Sequence, residues 1–281
     1  FKKVLKKLYL LKKNMKTKNS LFLFFIFSLI FSCNVNQEKI NEFSHFSEQF
    51  SDLKVLRYQI PGFDNLSLDQ KKLVYYLTEA GLSGRDIMYD QNYRHNLKIR
   101  RALENIYLNY GGNKNDNQWK SFEIYLKRIW FSNGIHHHYS NDKFDPDFPE
   151  EYLKNLMDET NTKLNDEVFD LIFNDIDPKK VNKNKSKGIV LGSSVNFYGS
   201  DVTEEDVDNF YNNIKVPDSN KPISLGLNSK LVKEDGVLKE KVWKKGGMYT
   251  GSIEKIIDNL KLAKEYAENK KQADALDLLV K

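Results

Sequence analysis

The side chains with the clearest capacity for chemistry are three consecutive histidines, His136, His137 and His138. Tyr139 follows them, and the chain then runs to Pro149 through a segment rich in aspartate and proline. A neutral imidazole both donates and accepts hydrogen bonds, and it is also a common metal ligand. The composition therefore predicts a polar loop that either binds a metal ion or exchanges hydrogen bonds with a ligand.

Three interpretations of this loop follow from the geometry of an extended chain. His136 and His138 would share one face, and His137 would lie on the opposite face. A metal held by that histidine pair would need a carboxylate such as Asp142 or Asp145 to fold back as a further ligand. Without a metal, the histidines are either hydrogen-bonded loop residues or part of the lining of a peptide-binding cleft.

Other polar residues at predicted turns and strand ends are candidates for the same cleft. Amides, imidazoles and phenols can pair with both the N–H and the C=O of a peptide group. Such residues also have purely structural uses in turns, so the two interpretations compete. The candidate cleft residues are Asn133, His136, His138, Tyr139, Asn196, Tyr198 and Asn228.

A helix must precede the histidine loop and position it. Apolar residues recur at helical spacing over residues 119–131, and Asn133 with Gly134 predicts the end of that helix, because both tolerate the left-handed conformation. The same periodicity predicts helices over residues 97–110, 150–164 and 166–174. Helix starts are predicted after Ser67, which with Gln70 forms a capping box, and after Thr203.

After residue 188 the pattern favours strands mixed with helices. Strands are predicted over residues 188–192, 195–198 and 223–228. Asp235 and Gly236 predict a type I′ hairpin turn, because both central positions of that turn need positive φ. Val242 and Trp243 lie on the predicted return strand.

A last amphipathic helix is predicted to begin at Ser252, with Ile253, Ile256, Ile257 and Leu260 on its apolar face. The chain is thus mainly helical in its N-terminal half, and mixed strands and helices follow. This order predicts an α+β fold.

The N-terminal residues are typical of a bacterial lipoprotein signal peptide. Lys16 and Lys18 follow Met15, an apolar run covers residues 21–30, and a lipobox ends at Cys33, the only cysteine. We expect lipidation of Cys33 and a membrane-anchored protein on the periplasmic or cell-surface side rather than in the cytoplasm. A plain membrane anchor or a buried strand is the alternative.

The expected organisation has three parts. Residues 1–33 form an upstream extension and the signal peptide, residues 34–50 a tether that leads into a first helix, and residues 51–281 the folded lobe. The leader holds eight lysines and no acidic residue, which leaves 36 basic against 39 acidic residues in the remainder. The folded part is therefore slightly acidic, and nucleic acid is excluded as an expected partner.

Several segments resemble, in the same order, the bacterial, Bacteroidetes-like branch of the dipeptidyl-peptidase III family of zinc peptidases. The loop over residues 132–146 reads Ser-Asn-Gly-Ile-His-His-His-Tyr-Ser-Asn-Asp-Lys-Phe-Asp-Pro. The other matching segments are residues 57–63, 73–86, 228–234 and 253–269. The resemblance covers roughly residues 46–281.

This resemblance implies a two-lobed enzyme with a wide cleft, one lobe with a small β-barrel and one mainly helical lobe that holds zinc. Such an enzyme removes dipeptides from the N-termini of peptides. The family's His-Glu-x-x-Gly-His zinc motif does not occur in this sequence, and no histidine follows His138. We therefore expect this chain to be an inactive N-terminal portion, with zinc bound only in a complete protein. A non-catalytic peptide-binding lipoprotein and an inactive gene fragment are the alternatives.

Overall fold

The computed structural model describes residues 43–175, 179–215, 220–221 and 223–281. These residues fall into two units, one made of residues 43–48 and 54–59 and one made of residues 49–53 and 60–281. The predicted signal peptide and Cys33 lie outside the described residues. Within the described ranges, no helix is both long enough and apolar enough to cross a membrane.

The chain has the predicted α+β fold, with nine α-helices and four strands in the part that the structure describes. The strands form two separate two-stranded sheets, β1 with β2 and β3 with β4, and the second pair is antiparallel. The strands are β1 (Phe46–Phe50), β2 (Leu53–Leu56), β3 (Ser229–Glu234) and β4 (Val237–Val242). The helices are α1 (Leu68–Ser83), α2 (Arg85–Asn92), α3 (Asn96–Asn109), α4 (Asn117–Ser132), α5 (Glu150–Glu159), α6 (Asp166–Phe173), α7 (Glu204–Asn212), α8 (Thr250–Glu265) and α9 (Lys270–Val280).

The smaller unit is held by a short set of bonds around Arg57. The backbone N–H of Arg57 donates to the His45 carbonyl at 2.9 Å, and its Nε donates to the Ser44 carbonyl at 2.8 Å. The guanidinium also lies over the Phe43 ring. Where the sequence predicted a tether leading into a helix, residues 46–50 instead form β1. The helix prediction is therefore wrong for the described part of that segment, because pairing with β2 satisfies the backbone instead.

The hydrophobic core of the larger unit lies where α3, α4, α5 and α6 meet. The predicted apolar stripe of α4 is fully buried there, at Phe122, Leu126 and Ile129. Trp119, also on α4, stacks on Tyr110 with ring centroids 4.5 Å apart. The helical spacing read from the sequence therefore identified the face of α4 that supports the site.

Helix starts agree with the capping signals, but one helix end does not agree with the periodicity. The predicted Ser67 capping box is present at the start of α1, and the helix predicted after Thr203, α7, also begins with a capping box. The helix predicted over residues 150–164 ends five residues earlier, at Glu159. Asn161 adopts φ 49°, and the Thr160 hydroxyl donates to the Leu156 carbonyl at 2.7 Å, which closes the last turn.

The three strands predicted over residues 188–192, 195–198 and 223–228 are wrong. Gly188 and Gly192 are joined by a backbone hydrogen bond from Gly192 N–H to Gly188 O at 3.1 Å, which makes this segment a turn. Tyr198 forms a single isolated bridge with Leu231. Ile189, Leu191, Ile223 and Leu227 are exposed in these segments, and a short apolar run alone cannot tell a buried strand from a loop.

The predicted hairpin is correct. Asp235 and Gly236 have φ values of 51° and 77° and join β3 to β4. Trp243 continues the pairing just past β4, because its N–H donates to the Asn228 carbonyl at 2.9 Å. The final amphipathic helix, α8, begins at Thr250, two residues before the predicted start, and packs against α1.

An ion pair between β3 and α7 leads to a test by pH titration. Lys233 Nζ lies 2.6 Å from Asp206 Oδ2, which also accepts from the N–H and hydroxyl of Thr203. The hydrogen bonds from Lys233 and then from Thr203 lower the pKa of Asp206 to about 2. We expect Lys233→Met to raise that pKa towards 3.8, the ordinary value, in a titration of the carboxyl carbon by NMR.

The same substitution should change the response of the fold to acid. Because the folded-state pKa of Asp206 is below its unfolded value, the stabilisation is complete above about pH 4 and is lost as the pH falls towards 2. In Lys233→Met the folded and unfolded pKa values of Asp206 should nearly coincide, so the acid-dependent loss of stability that this carboxylate contributes should be smaller. Lys241→Met removes a cation that pairs instead with Glu234 at 2.9 Å and is the matched control. An Asp206 titration that is the same in both variants and wild type would contradict the assignment.

Candidate functional site

The histidine loop begins at the end of α4, where the sequence predicted it. Asn133 is the C-cap of α4 and adopts the left-handed conformation, with φ 53°. The N–H of Gly134 donates to the Ile129 carbonyl at 3.1 Å. The left-handed turn redirects the chain from the helix axis into the loop, so Asn133 is a structural residue at this position.

A buried asparagine on α3 fixes the first residues of the loop. Asn96 is 1% exposed, its Nδ2 donates to the Asn133 carbonyl at 3.2 Å, and its Oδ1 accepts from the Ile135 N–H at 3.0 Å. Gly134 lies between these two bonds at φ 147°, and a Cβ there would collide with the Asn96 side-chain amide. Sequence reasoning missed Asn96, because an asparagine just before a predicted helix looks like an ordinary helix cap.

The loop is a tight turn rather than an extended segment. The N–H of His137 donates to the Asp142 carbonyl at 2.7 Å, and the N–H of Ser140 donates to the His137 carbonyl at 3.2 Å. A backbone bridge pairs His136 with Lys143. The turn lies at residues 138 and 139, so the alternation of faces expected for an extended chain does not hold.

The three imidazoles consequently have different surroundings. His136 is buried and packs edge-on against Tyr93 at 4.9 Å between ring centroids. His137 and His138 stack on each other at 4.4 Å, and His138 also contacts Phe131. The expectation that His136 and His138 share a face is therefore wrong.

The positions of these side chains also test the alternative in which a histidine pair and a carboxylate bind a metal ion. Within the described ranges, no three histidine, cysteine or acidic side chains are grouped so that they could hold a metal ion. Neither Asp142 nor Asp145 folds back to complete a site with a histidine pair in this part of the chain. The described residues therefore do not fit a zinc ion.

A polar cavity of about 440 Å³ lies beside the loop and next to the C-terminus of α6. Of the sequence-predicted candidates, His136 belongs to its described wall, whereas His138 and Tyr139 do not. The cavity is lined by Tyr93, Ile135, His136, Asn141, Asp142, Lys143, Asp145, Leu171, Asn174, Asp175 and Lys179.

Lys143 is the central charge of this cavity. Its side chain is 10% exposed, and its Nζ donates to the carbonyls of Leu171 and Ile172 at 3.5 and 3.3 Å. Asp145 and Asp175 lie 3.6 and 3.5 Å from the same nitrogen. A cation beside the last carbonyls of a helix is favoured by the helix dipole, so Lys143 ties the loop to the end of α6.

The wall therefore presents hydrogen-bond donors and acceptors together. Ammonium and amide groups of Lys143, Lys179 and Asn174 are donors, and the carboxylates of Asp142 and Asp175 are acceptors. A ligand that carries both N–H and C=O groups fits this wall better than a purely anionic or purely cationic ligand.

Asn196 belongs to a separate network that the sequence did not reveal. Its Nδ2 donates to Asp90 Oδ2 at 2.8 Å, and Lys230 Nζ donates to its Oδ1. The Tyr249 hydroxyl donates to the same Asp90 oxygen at 2.5 Å. Burial, and then the hydrogen bond to Asp90, raise the pKa of Tyr249, while burial lowers the pKa of Lys230. These bonds join α2, β3 and the start of α8, a structural role for Asn196.

The remaining candidates lie apart from the cavity. Tyr198 is half-buried at its bridge with Leu231, and burial raises the pKa of its hydroxyl. Asn228 is exposed, and Tyr139 is 89% exposed. Asn96 thus fixes Asn133 and the start of the loop that holds His136, and of the seven candidates only His136 belongs to the described wall of the cavity.

No protein-family model matches this sequence, and no curated protein matches it. Among solved structures, the chain is similar to DPP III from Caldithrix abyssi, with a TM-score of 0.47 and 19% sequence identity. The similar region covers 79% of this chain and 31% of that one. The chain therefore spans less than a third of the length of that structure.

Proposed function

We propose that residues 51–281 form part of a zinc-dependent exopeptidase that releases dipeptides from the N-termini of oligopeptides. In this proposal the chain contributes to peptide binding, and zinc is held by residues that this sequence does not contain. Cys33 is proposed to carry the lipid anchor that attaches the protein to a membrane. The observation that carries the proposal is the polar cavity at His136.

The location of this cavity supports a peptide as the ligand. Its wall is built from the loop over residues 132–146, the same segment that carries the clearest sequence resemblance to the dipeptidyl-peptidase III family. A peptide main chain presents N–H and C=O groups in alternation, and the wall presents both acceptors and donors. The rigid α4 helix and the Asn96 bonds hold the loop in one conformation, which lowers the entropic cost of binding.

A second function is favoured by a specific feature of the sequence. The sequence contains the loop that we propose to bind peptide, whereas it lacks the His-Glu-x-x-Gly-His motif. A lipoprotein that binds peptides without cleaving them would need the loop alone. Release of naphthylamine from a dipeptidyl-naphthylamide by a longer product of the gene, but not by this chain, would favour the exopeptidase over this alternative.

Substitution of His136 tests peptide binding directly. Loss of one hydrogen bond costs about 0.5–1.5 kcal/mol, so we expect His136→Ala to weaken binding of an unblocked tetra-alanine peptide by roughly two- to tenfold. Isothermal titration calorimetry on the purified chain measures this affinity. His138→Ala is the matched control, because His138 belongs to the same loop but packs against Phe131 outside the cavity wall.

Three results would argue against a peptide site at this cavity. The wild-type chain could fail to bind the peptide at millimolar concentration. His136→Ala could bind as wild type does while keeping its melting temperature. Equal weakening in His136→Ala and His138→Ala would indicate a general disturbance of the loop rather than a contact in the cavity.

A further inference from the structure

A second cavity, of about 640 Å³, lies between α3 and the loop over residues 160–165 that follows α5. It shares no described wall residue with the cavity at His136. Side chains of α3 form one wall and the loop forms the other. The cavity is lined by Lys98, Arg101, Ala102, Asn105, Asn161, Thr162, Lys163, Leu164 and Asn165.

All charged residues in the described wall of this cavity are basic, namely Lys98, Arg101 and Lys163. Lys98 and Lys163 are exposed, and neither has a hydrogen-bond or ion-pair partner for its ammonium group among the described residues. Arg101 donates to Asp86 at 2.7 Å, but Asp86 also binds Arg100 at 2.8 Å. Glu104 also lies 3.3 Å from Arg100, so two carboxylates balance the two guanidinium groups, and the net positive charge of the wall comes from Lys98 and Lys163.

The loop wall is held in place by internal hydrogen bonds. Asn105 Nδ2 donates to Thr162 Oγ1 at 2.8 Å and to the Thr160 carbonyl at 3.3 Å. The left-handed conformation of Asn161, with φ 49°, directs the chain away from α5. Asn165, the N-cap of α6, makes no capping bond with its side chain. The basic groups thus border a preformed cavity with amide side chains beside them.

We propose that this cavity binds a small organic molecule that carries a phosphate monoester. A phosphate monoester has a charge of about −1.5 to −2 at pH 7, which matches the two lysines better than the single charge of a carboxylate would. The volume of the cavity lies within the range of roughly 300–1,000 Å³ that is typical of small-molecule sites. The amides of Asn161 and Asn165 are suited to hydroxyl groups on the organic part of the ligand.

Acidic residues near the cavity do not cancel this charge. Asp166 and Glu167 lie in the first turn of α6, but neither belongs to the described wall. Asp86 is occupied by its two arginines. Lys98 and Lys163 therefore remain the charges that a bound ligand would meet first.

Calorimetry with two probes tests the proposal. The wild-type chain is titrated with inorganic phosphate and with a hexose phosphate, and the Lys98→Gln, Lys163→Gln double variant is titrated in the same way. Charge-assisted hydrogen bonds are among the stronger ones in proteins, so we expect the double variant to bind the hexose phosphate at least about tenfold more weakly. Binding by the wild-type chain should also weaken as salt is added, because these groups are exposed to screening.

The matched control removes the same charge elsewhere. Lys255→Gln with Lys261→Gln also lowers the net charge by two, at exposed positions on α8. Retained hexose phosphate affinity in this control, together with wild-type melting temperatures in both variants, would support the site. Equal weakening in both double variants would overturn it, because the effect would then be one of net charge.

Two further outcomes also decide against the proposal. One is a wild-type chain that binds neither phosphate probe at low salt. The other is binding to vesicles of phosphatidylglycerol that depends on Lys98 and Lys163 without binding of soluble hexose phosphate. That result would assign the basic face to an anionic membrane surface instead of a small molecule.

Discussion

The Gly134→Ala variant should unfold with a free energy lower than that of the wild-type chain by roughly 3 kcal/mol. Gly134 adopts φ 147°, a conformation that L-residues with a side chain rarely take. The added Cβ would also push against the Asn96 amide, which bonds to both neighbours of Gly134. Because these bonds position the loop, the variant should also lose affinity for the tetra-alanine peptide.

Urea denaturation of the wild-type chain, the two single variants Gly134→Ala and Asn96→Ala, and the double variant measures the loss of stability. It also shows whether the contact with Asn96 causes that loss. In an Asn96→Ala background the added Cβ meets no amide, so Gly134→Ala should cost at least about 1 kcal/mol less than it does in the wild-type background. Asn96→Ala alone should itself destabilise, because it leaves the Ile135 N–H without its bond. Gly81→Ala is the glycine control: it lies within α1 with open space around it, and we expect it to stabilise slightly.

Two results would show that Asn96 does not determine the conformation of this loop. One is strictly additive costs for Gly134→Ala and Asn96→Ala. The other is a Gly134→Ala variant whose stability matches that of the wild-type chain. A destabilised Gly134→Ala variant with unchanged peptide affinity would instead separate the role of the turn in folding from any role in binding.

A second large effect is expected at Trp119, in the core of the larger unit. Its ring is 1% exposed and stacks on Tyr110 at 4.5 Å and on Tyr107 at 6.1 Å between centroids. Replacement of a fully buried aromatic residue by alanine typically costs about 3–5 kcal/mol, because burial is lost and a cavity remains. We expect Trp119→Ala to shift the urea midpoint accordingly and to loosen α4, which carries the histidine loop.

The control for this substitution is Leu108→Ala on α3, where the side chain is 76% exposed. We expect it to change stability by at most about 0.5 kcal/mol. Trp119→Phe should recover part of the loss, because the smaller ring can still stack on Tyr110. If Trp119→Ala and Leu108→Ala have the same small effect, the α3–α4 interface does not hold the core together.

Local patterns in the chain were sufficient to predict most of the helical scaffold. The apolar spacing over residues 119–131 identified α4 and its buried face, and the Ser67 and Thr203 boxes identified two helix starts. Asp235 and Gly236 identified the β3–β4 turn. These features depend on neighbours within a few positions along the chain, so a single sequence contains them.

Features that depend on partners distant in sequence were not predictable in this way. The strands expected over residues 188–192, 195–198 and 223–228 are loops and turns, because an apolar segment becomes a strand only where it finds an edge to pair with. The paired strands β1 and β2 lie where a tether leading into a helix was expected, for the same reason. In each case the deciding hydrogen bonds join segments that no local pattern relates.

The same distinction between local and long-range features applies to the candidate site. Residue types alone identified the loop that holds His136 and the end of its helix at Asn133. Only the tertiary structure decided that His136 faces a cavity while Tyr139 points to solvent, because a turn at residues 138 and 139 rotates the chain. Asn96, 37 positions before the carbonyl that it binds, and Lys143, which reaches the end of α6, acquire their roles only when the helices pack. Side-chain chemistry is a property of the sequence, whereas the direction in which that chemistry is presented depends on contacts between distant parts of the chain.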